Sequence, residues 1–107
     1  MKQKKRASLL NHLSAGLAQI LGERIDRVLI YGSYARGEAQ DDSDLDILIV
    51  LHGDFDYADM IRETSDLVAR LSLENDVVIS RAFISKDRLE NERSPFTLNI
   101  QREGIPI

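Results

Sequence analysis

The sequence has no cysteine and no tryptophan. Without cysteine, neither a disulfide framework nor a thiolate metal site is possible. Histidine is almost as scarce. His12 and His52 alone do not make a His-rich zinc site. No stretch of about 18 apolar residues occurs, so no segment is suited to cross a membrane. A surplus of positive charge is also missing. Fourteen Lys and Arg against 18 Asp and Glu give a formal net charge of −4, which argues against a surface built to coat nucleic acid. The basic cluster Lys2, Lys4, Lys5 and Arg6 reads as a solvated helix start. It is followed by mixed polar and apolar residues, not by the apolar run and cleavage site of a signal peptide. A cytoplasmic protein is expected. There is no internal repeat and no low-complexity tract.

What is present is the composition of an ordinary globule, 43% hydrophobic and 30% charged over 107 residues. That length implies one domain, residues 1–107, with a core of its own.

Apolar spacing organises the chain. Leu10, Leu13, Leu17 and Ile20 recur at three and four, which predicts a helix over 7–21 that stops at Gly22. Val28-Leu29-Ile30-Tyr31 is a short continuous apolar run, as expected of a strand covered on both faces. Residues 34–43 read as a short helical turn and a loop. Residues 45–51 form a second strand. A second long helix spans 55–71, with Tyr57, Ile61, Thr64, Val68 and Leu71 on one face. Asp76-Val77-Val78-Ile79 is expected as the third strand. Residues 86–93 are helical, and Pro95 opens a last segment whose length Gly104 and Pro106 limit. The order predicts an α/β structure, a small mixed sheet covered by helices.

Asp44 and Asp46 begin the second strand at alternate positions, so both project from one face. Leu48 and Val50 continue that face as apolar, which confines the acids to one end. Two carboxylates at ~4 Å in an effective dielectric of about 20 repel by on the order of 4 kcal/mol. A proton or a cation relieves that repulsion. Hard oxygen ligands suit Mg²⁺. Gly32-Ser33 follows the first strand. Glycine lets a ligand approach the backbone, and Ser33 is placed to cap the next turn or to contact phosphate. If the two strands are neighbours, a phosphate holder and a metal holder share one edge of the sheet.

The stretch Tyr31-Gly32-Ser33-Tyr34-Ala35-Arg36-Gly37, followed by Ser43-Asp44-Leu45-Asp46-Ile47, closely resembles the signature of the DNA polymerase β-like nucleotidyltransferases. It looks most like their minimal nucleotidyltransferase branch. The ending Asn99-Ile100-Gln101-Arg102-Glu103-Gly104 resembles the close of small members of that branch. The resemblance implies that Gly32 and Ser33 hold the triphosphate of ATP, and that Asp44 and Asp46 bind two Mg²⁺ ions. It further implies a third acid on the next strand, for which Asp76 is the candidate and Glu74 the rival. Arg36 steadies the phosphates or pairs with Asp41 or Asp42.

The implied reaction is attack of an acceptor hydroxyl on the α-phosphorus of ATP, with loss of pyrophosphate. The chain is expected to be too short to carry its own acceptor domain. In the branch it resembles, the partner is typically a HEPN-domain toxin, and some members transfer AMP to a tyrosine of it as antitoxins. Two alternatives stand beside that reading: an antitoxin that neutralises its partner by binding alone, and an enzyme that modifies a small molecule.

Overall fold

The computed structural model describes residues 1–107. Helix α1 runs Gln3–Leu21. Leu9, Leu13, Leu17 and Leu21 fall every fourth residue and are all buried, which draws one line of leucine along the helix. Gly22 ends it at φ 56, as the sequence predicts, and its N–H donates to the Ala18 carbonyl. A short 3-10 turn leads into β1, Ile25–Tyr31. The short helix α2, Ser33–Arg36, and a loop follow, then β2, Leu45–Leu51. Next come α3, Tyr57–Asn75, and β3, Ile79–Ser85. The chain finishes with α4, Lys86–Asn91, α5, Pro95–Glu103, and the two-residue β4, Ile105–Pro106.

The sheet is mixed, in the order β3-β2-β1-β4. β1 is antiparallel to β2 and to β4, and β2 is parallel to β3. The two central strands are therefore the ones that carry the Gly-Ser and Asp-x-Asp motifs. Alternation along β2 sorts its side chains between two cores. Leu45, Ile47, Ile49 and Leu51 pack under α1 and α3 with Val28, Ile30 and Phe83. Leu48 and Val50 face the other way, with Leu29, Ile84, Leu89 and Ile100 under α4 and α5. A strand buried on both faces reads as an unbroken apolar run. Full burial of each such side chain is worth about 1.5–3 kcal/mol.

The third strand does not lie where the sequence places it. It begins at Ile79, not at Asp76, and runs to Ser85. The reason is that α3 continues to Asn75. The chain must then reverse. Asp76 does so in the left-handed region at φ 51, ψ 50, with its N–H on the Ser72 carbonyl. Arg81 hides the strand in the sequence, because it is a cation on the core side. Its Nε donates to Thr64 Oγ1 at 2.8 Å, and its Nη2 donates to the Ile61 carbonyl at 2.8 Å and to Ser65 Oγ at 3.1 Å. Burial pushes its pKa down.

The last segment is a capped helix. Ser94 Oγ accepts from the Thr97 N–H at 3.1 Å, and Thr97 Oγ1 accepts from the Ser94 N–H at 3.0 Å. The reciprocal pair satisfies two otherwise unpaired backbone donors, and Pro95 sits where a missing N–H costs nothing.

Candidate active site

The site is built where β1 ends and β2 begins. Tyr31, the last residue of β1, stands opposite Asp46 in the antiparallel register. The next residue is Gly32, at φ 74, ψ −152. That backbone region is essentially reserved for glycine. The bend also brings the Gly32 backbone against the Asp46 carboxylate. A Cβ at Gly32 would lie 2.4 Å from Asp46 Oδ2 and 3.3 Å from its Cγ. Glycine is required here twice, once for the dihedral and once for the approach. Ser33 then begins α2, so Gly32 and not Ser33 is the residue before the helix, and the serine hydroxyl does not cap it.

The rest of the loop delivers Asp44. Gly37 closes α2 in the left-handed region at φ 73, ψ 22. Tyr34 anchors the turn by burial, with the Arg6 guanidinium 5.9 Å from its ring centroid. Ser43 Oγ accepts from the Gln40 N–H at 2.8 Å, while the Ser43 N–H donates to the Gln40 carbonyl at 3.1 Å. The Leu45 N–H donates to the Val78 carbonyl at 2.8 Å, which pins the start of β2 to the approach to β3. Asp44 is exposed and Asp46 half-buried. Burial raises the Asp46 pKa above its ordinary 3.8, and the Asp44 charge raises it further, against a smaller opposite pull from Arg36. Tyr31 is half-buried beside them, with its ring edge-on to Phe96 at 5.7 Å. Its phenol is also pushed up, first by burial and then by the Asp46 charge.

The Gly32 bend and Asp46 therefore belong to one structure. The polymerase beta nucleotidyltransferase family model matches residues 16–107. The chain belongs to that family. It is a nucleotidyltransferase domain. A relative from Methanocaldococcus jannaschii, named as a candidate protein adenylyltransferase, is 40% identical over 83 residues, which is 76% of each chain. Among solved structures, a candidate minimal nucleotidyltransferase superposes with TM-score 0.60 at 27% identity, covering 98% of this chain and 94% of the other. A toxin–antitoxin structure with AMP-PNP shares the fold, with TM-score 0.61 at 17% identity, over 90% of this chain and 69% of that one.

Within this nucleotidyltransferase fold, the remaining expected residues separate. Asp46 lies against Gly32, and Asp44 is near enough for its charge to act on Asp46. Asp76 does not join them on a strand. It is exposed at the end of α3 and lines a cavity of about 570 Å³ with Asp41, Asp42, Ser43, Leu73 and Val78. Glu74 lies on α3, paired with Arg70 at 3.7 Å. No acid occurs anywhere on β3, and Ser80 is the residue in register with Asp46. No three His, Cys, Asp or Glu side chains gather as a metal cage. The expectation of a strand-borne third acid is thus corrected, and the cause is the late start of β3. The two acids that remain still suit Mg²⁺. That ion commonly takes one or two carboxylates and fills its octahedron with water and substrate phosphates. A half-buried Asp46 that resists a second negative charge beside Asp44 is a fitting donor.

For Arg36 the ion-pair alternative is corrected. It pairs with neither Asp41 nor Asp42. Its Nε donates to Glu38 Oε1 at 2.6 Å and its Nη1 to Glu103 at 3.4 Å. Both bonds raise its pKa, the Glu38 bond more. Glu103 is the residue that reading the sequence missed. Its only signal there was its place inside the closing Asn99–Gly104 motif.

Proposed function

We propose that this chain transfers AMP from ATP to a hydroxyl of a partner protein, and that the partner is a HEPN-domain toxin which the modification silences. The observation that carries the reading is the contact between the Gly32 bend and the Asp46 carboxylate, because it joins the phosphate side of the site to the metal side. The name of the M. jannaschii relative supports a protein acceptor. The toxin–antitoxin neighbour with AMP-PNP supports a toxin partner and ATP. A tyrosine is the proposed acceptor on the toxin.

In this mechanism Gly32 admits the triphosphate close to the backbone. Ser33 and Arg36 hold its oxygens, the latter as a fixed positive fork. Asp44 and Asp46 hold Mg²⁺, which when bound neutralises triphosphate charge and lowers the pKa of the acceptor hydroxyl. The acceptor oxygen forms a bond to the α-phosphorus as the bond to pyrophosphate breaks, and the hydroxyl proton is released. The chain contributes mainly position and charge complementarity.

The test is to incubate the purified chain with the HEPN toxin and MgATP, then to weigh the toxin and map it by tandem mass spectrometry. One or more AMP groups on a tyrosine are expected. An unmodified toxin that is nonetheless inhibited would leave binding alone as the mechanism and reject the transfer.

A further inference from the structure

The closing Glu103-Gly104-Ile105-Pro106 segment lies along β1. β4 pairs Ile105 with Ile30 and Pro106 with Leu29, and the Ile107 N–H donates to the Val28 carbonyl at 2.9 Å. Gly104 makes that approach possible. A Cβ there would meet the Ile100 carbonyl oxygen at 2.7 Å and Leu29 Cδ1 at 3.3 Å. The consequence is that the last residue of α5 reaches the Gly32 bend. Glu103 Oε1 accepts from the Gly32 N–H at 3.3 Å and from Arg36 Nη1 at 3.4 Å, and Oε2 lies 3.4 Å from the same Nη1. The Glu103 side chain is 22% exposed, against 63% for Glu38, the other partner of Arg36.

One carboxylate therefore ties together two residues proposed to hold phosphate, and it does so from the far end of the chain. Arg36 is tethered through Nε and Nη1. Its Nη2 is committed to neither carboxylate. A guanidinium held in this way is fixed in orientation and still has donors for an oxyanion. The Gly32 N–H bond likewise holds a residue whose backbone only glycine tolerates.

We propose that Glu103 is a positioning residue for the nucleotide: it locks the Gly32–Ser33 bend and the Arg36 guanidinium in the arrangement that receives the triphosphate, so the C-terminal segment completes the site. The inference rests on the MgATP reading above.

The experiment is calorimetric titration with MgATP of the wild type, Glu103→Gln, Arg36→Ala and the double variant, each checked by thermal unfolding. Glu103→Gln keeps an oxygen for the Gly32 N–H and removes the negative charge that faces Arg36. It should weaken MgATP binding about tenfold, the scale of a lost charged hydrogen bond, with little change in melting temperature. In the Arg36→Ala background the same change should cost less than about twofold, because its target is gone. Glu103→Asp withdraws the carboxylate by one methylene without changing charge and should show a similar loss, so it serves if Glu103→Gln folds poorly. Wild-type affinity in the Glu103 variants overturns the proposal, and so does tighter binding, which would make the carboxylate a competitor. Losses that multiply in the double variant also overturn it. A wild type that does not bind MgATP overturns the nucleotide reading itself, and this inference with it.

Discussion

Replacing Asp46 with Asn keeps the side-chain shape and removes one of two neighbouring charges. Alternate residues on a strand are about 6.6 Å apart. At an effective dielectric between about 20 and 40, that separation corresponds to a repulsion of about 1–2.5 kcal/mol. Asp44 is exposed, and solvent screening reduces the figure to about 1 kcal/mol. Burial of Asp46 acts in the same direction. Asp46→Asn is therefore expected to stabilise the metal-free chain at neutral pH, by about 4–8 °C in melting temperature for a domain of this size. The gain must depend on pH. Folding raises the Asp46 pKa above 3.8, so ionisation of Asp46 opposes folding. That cost is absent below 3.8 and reaches its full value once the pH has risen through the raised pKa. The assay is thermal unfolding of both proteins in EDTA from acid to neutral pH. Equal or lower melting of the variant at neutral pH would refute the electrostatic account, and so would a gain that persists in acid.

Other consequences follow from single contacts. Gly32→Ala should cost about 1–3 kcal/mol from the backbone region alone; because its Cβ would displace Asp46 Oδ2, MgATP binding should fall further than stability, which paired titration and denaturant unfolding would show. Asp76→Asn should leave MgATP affinity within about twofold of wild type, since Asn tolerates the left-handed backbone at φ 51 and Asp76 forms no group of three potential metal ligands with Asp44 and Asp46; a loss of tenfold or more would make it a ligand after all. Thr64→Val removes a buried acceptor of the Arg81 Nε at 2.8 Å and should destabilise the fold by about 1–3 kcal/mol in urea unfolding without altering nucleotide affinity.

The parts of this molecule that could be read in advance are those fixed by local pattern. β2 was legible to the residue because it is apolar on both faces except at Asp46, with Asp44 immediately before its first residue. Gly22 and Gly104 mark real ends of helices. The approach of Gly32 to Asp46 followed, since the two lie next to each other as soon as β1 and β2 pair. What was not legible depends on tertiary partners. β3 carries Arg81 on its core side, and only the acceptors offered by α3 make that placement tolerable. The start of β3 depends on how far α3 runs before Asp76 turns the chain. Glu103 is silent for the same reason. Its partners Gly32 and Arg36 are remote in sequence, and only the pairing of β4 with β1 brings them within reach.

The most direct test of the central claim is a titration with MgATP of the wild type beside the double variant Asp44→Asn, Asp46→Asn, with circular dichroism confirming that both are folded. The wild type should bind, and the double variant should lose that binding while melting no lower than the wild type in EDTA. Equal affinity in both proteins would contradict the assignment of these two carboxylates to the metal–nucleotide site.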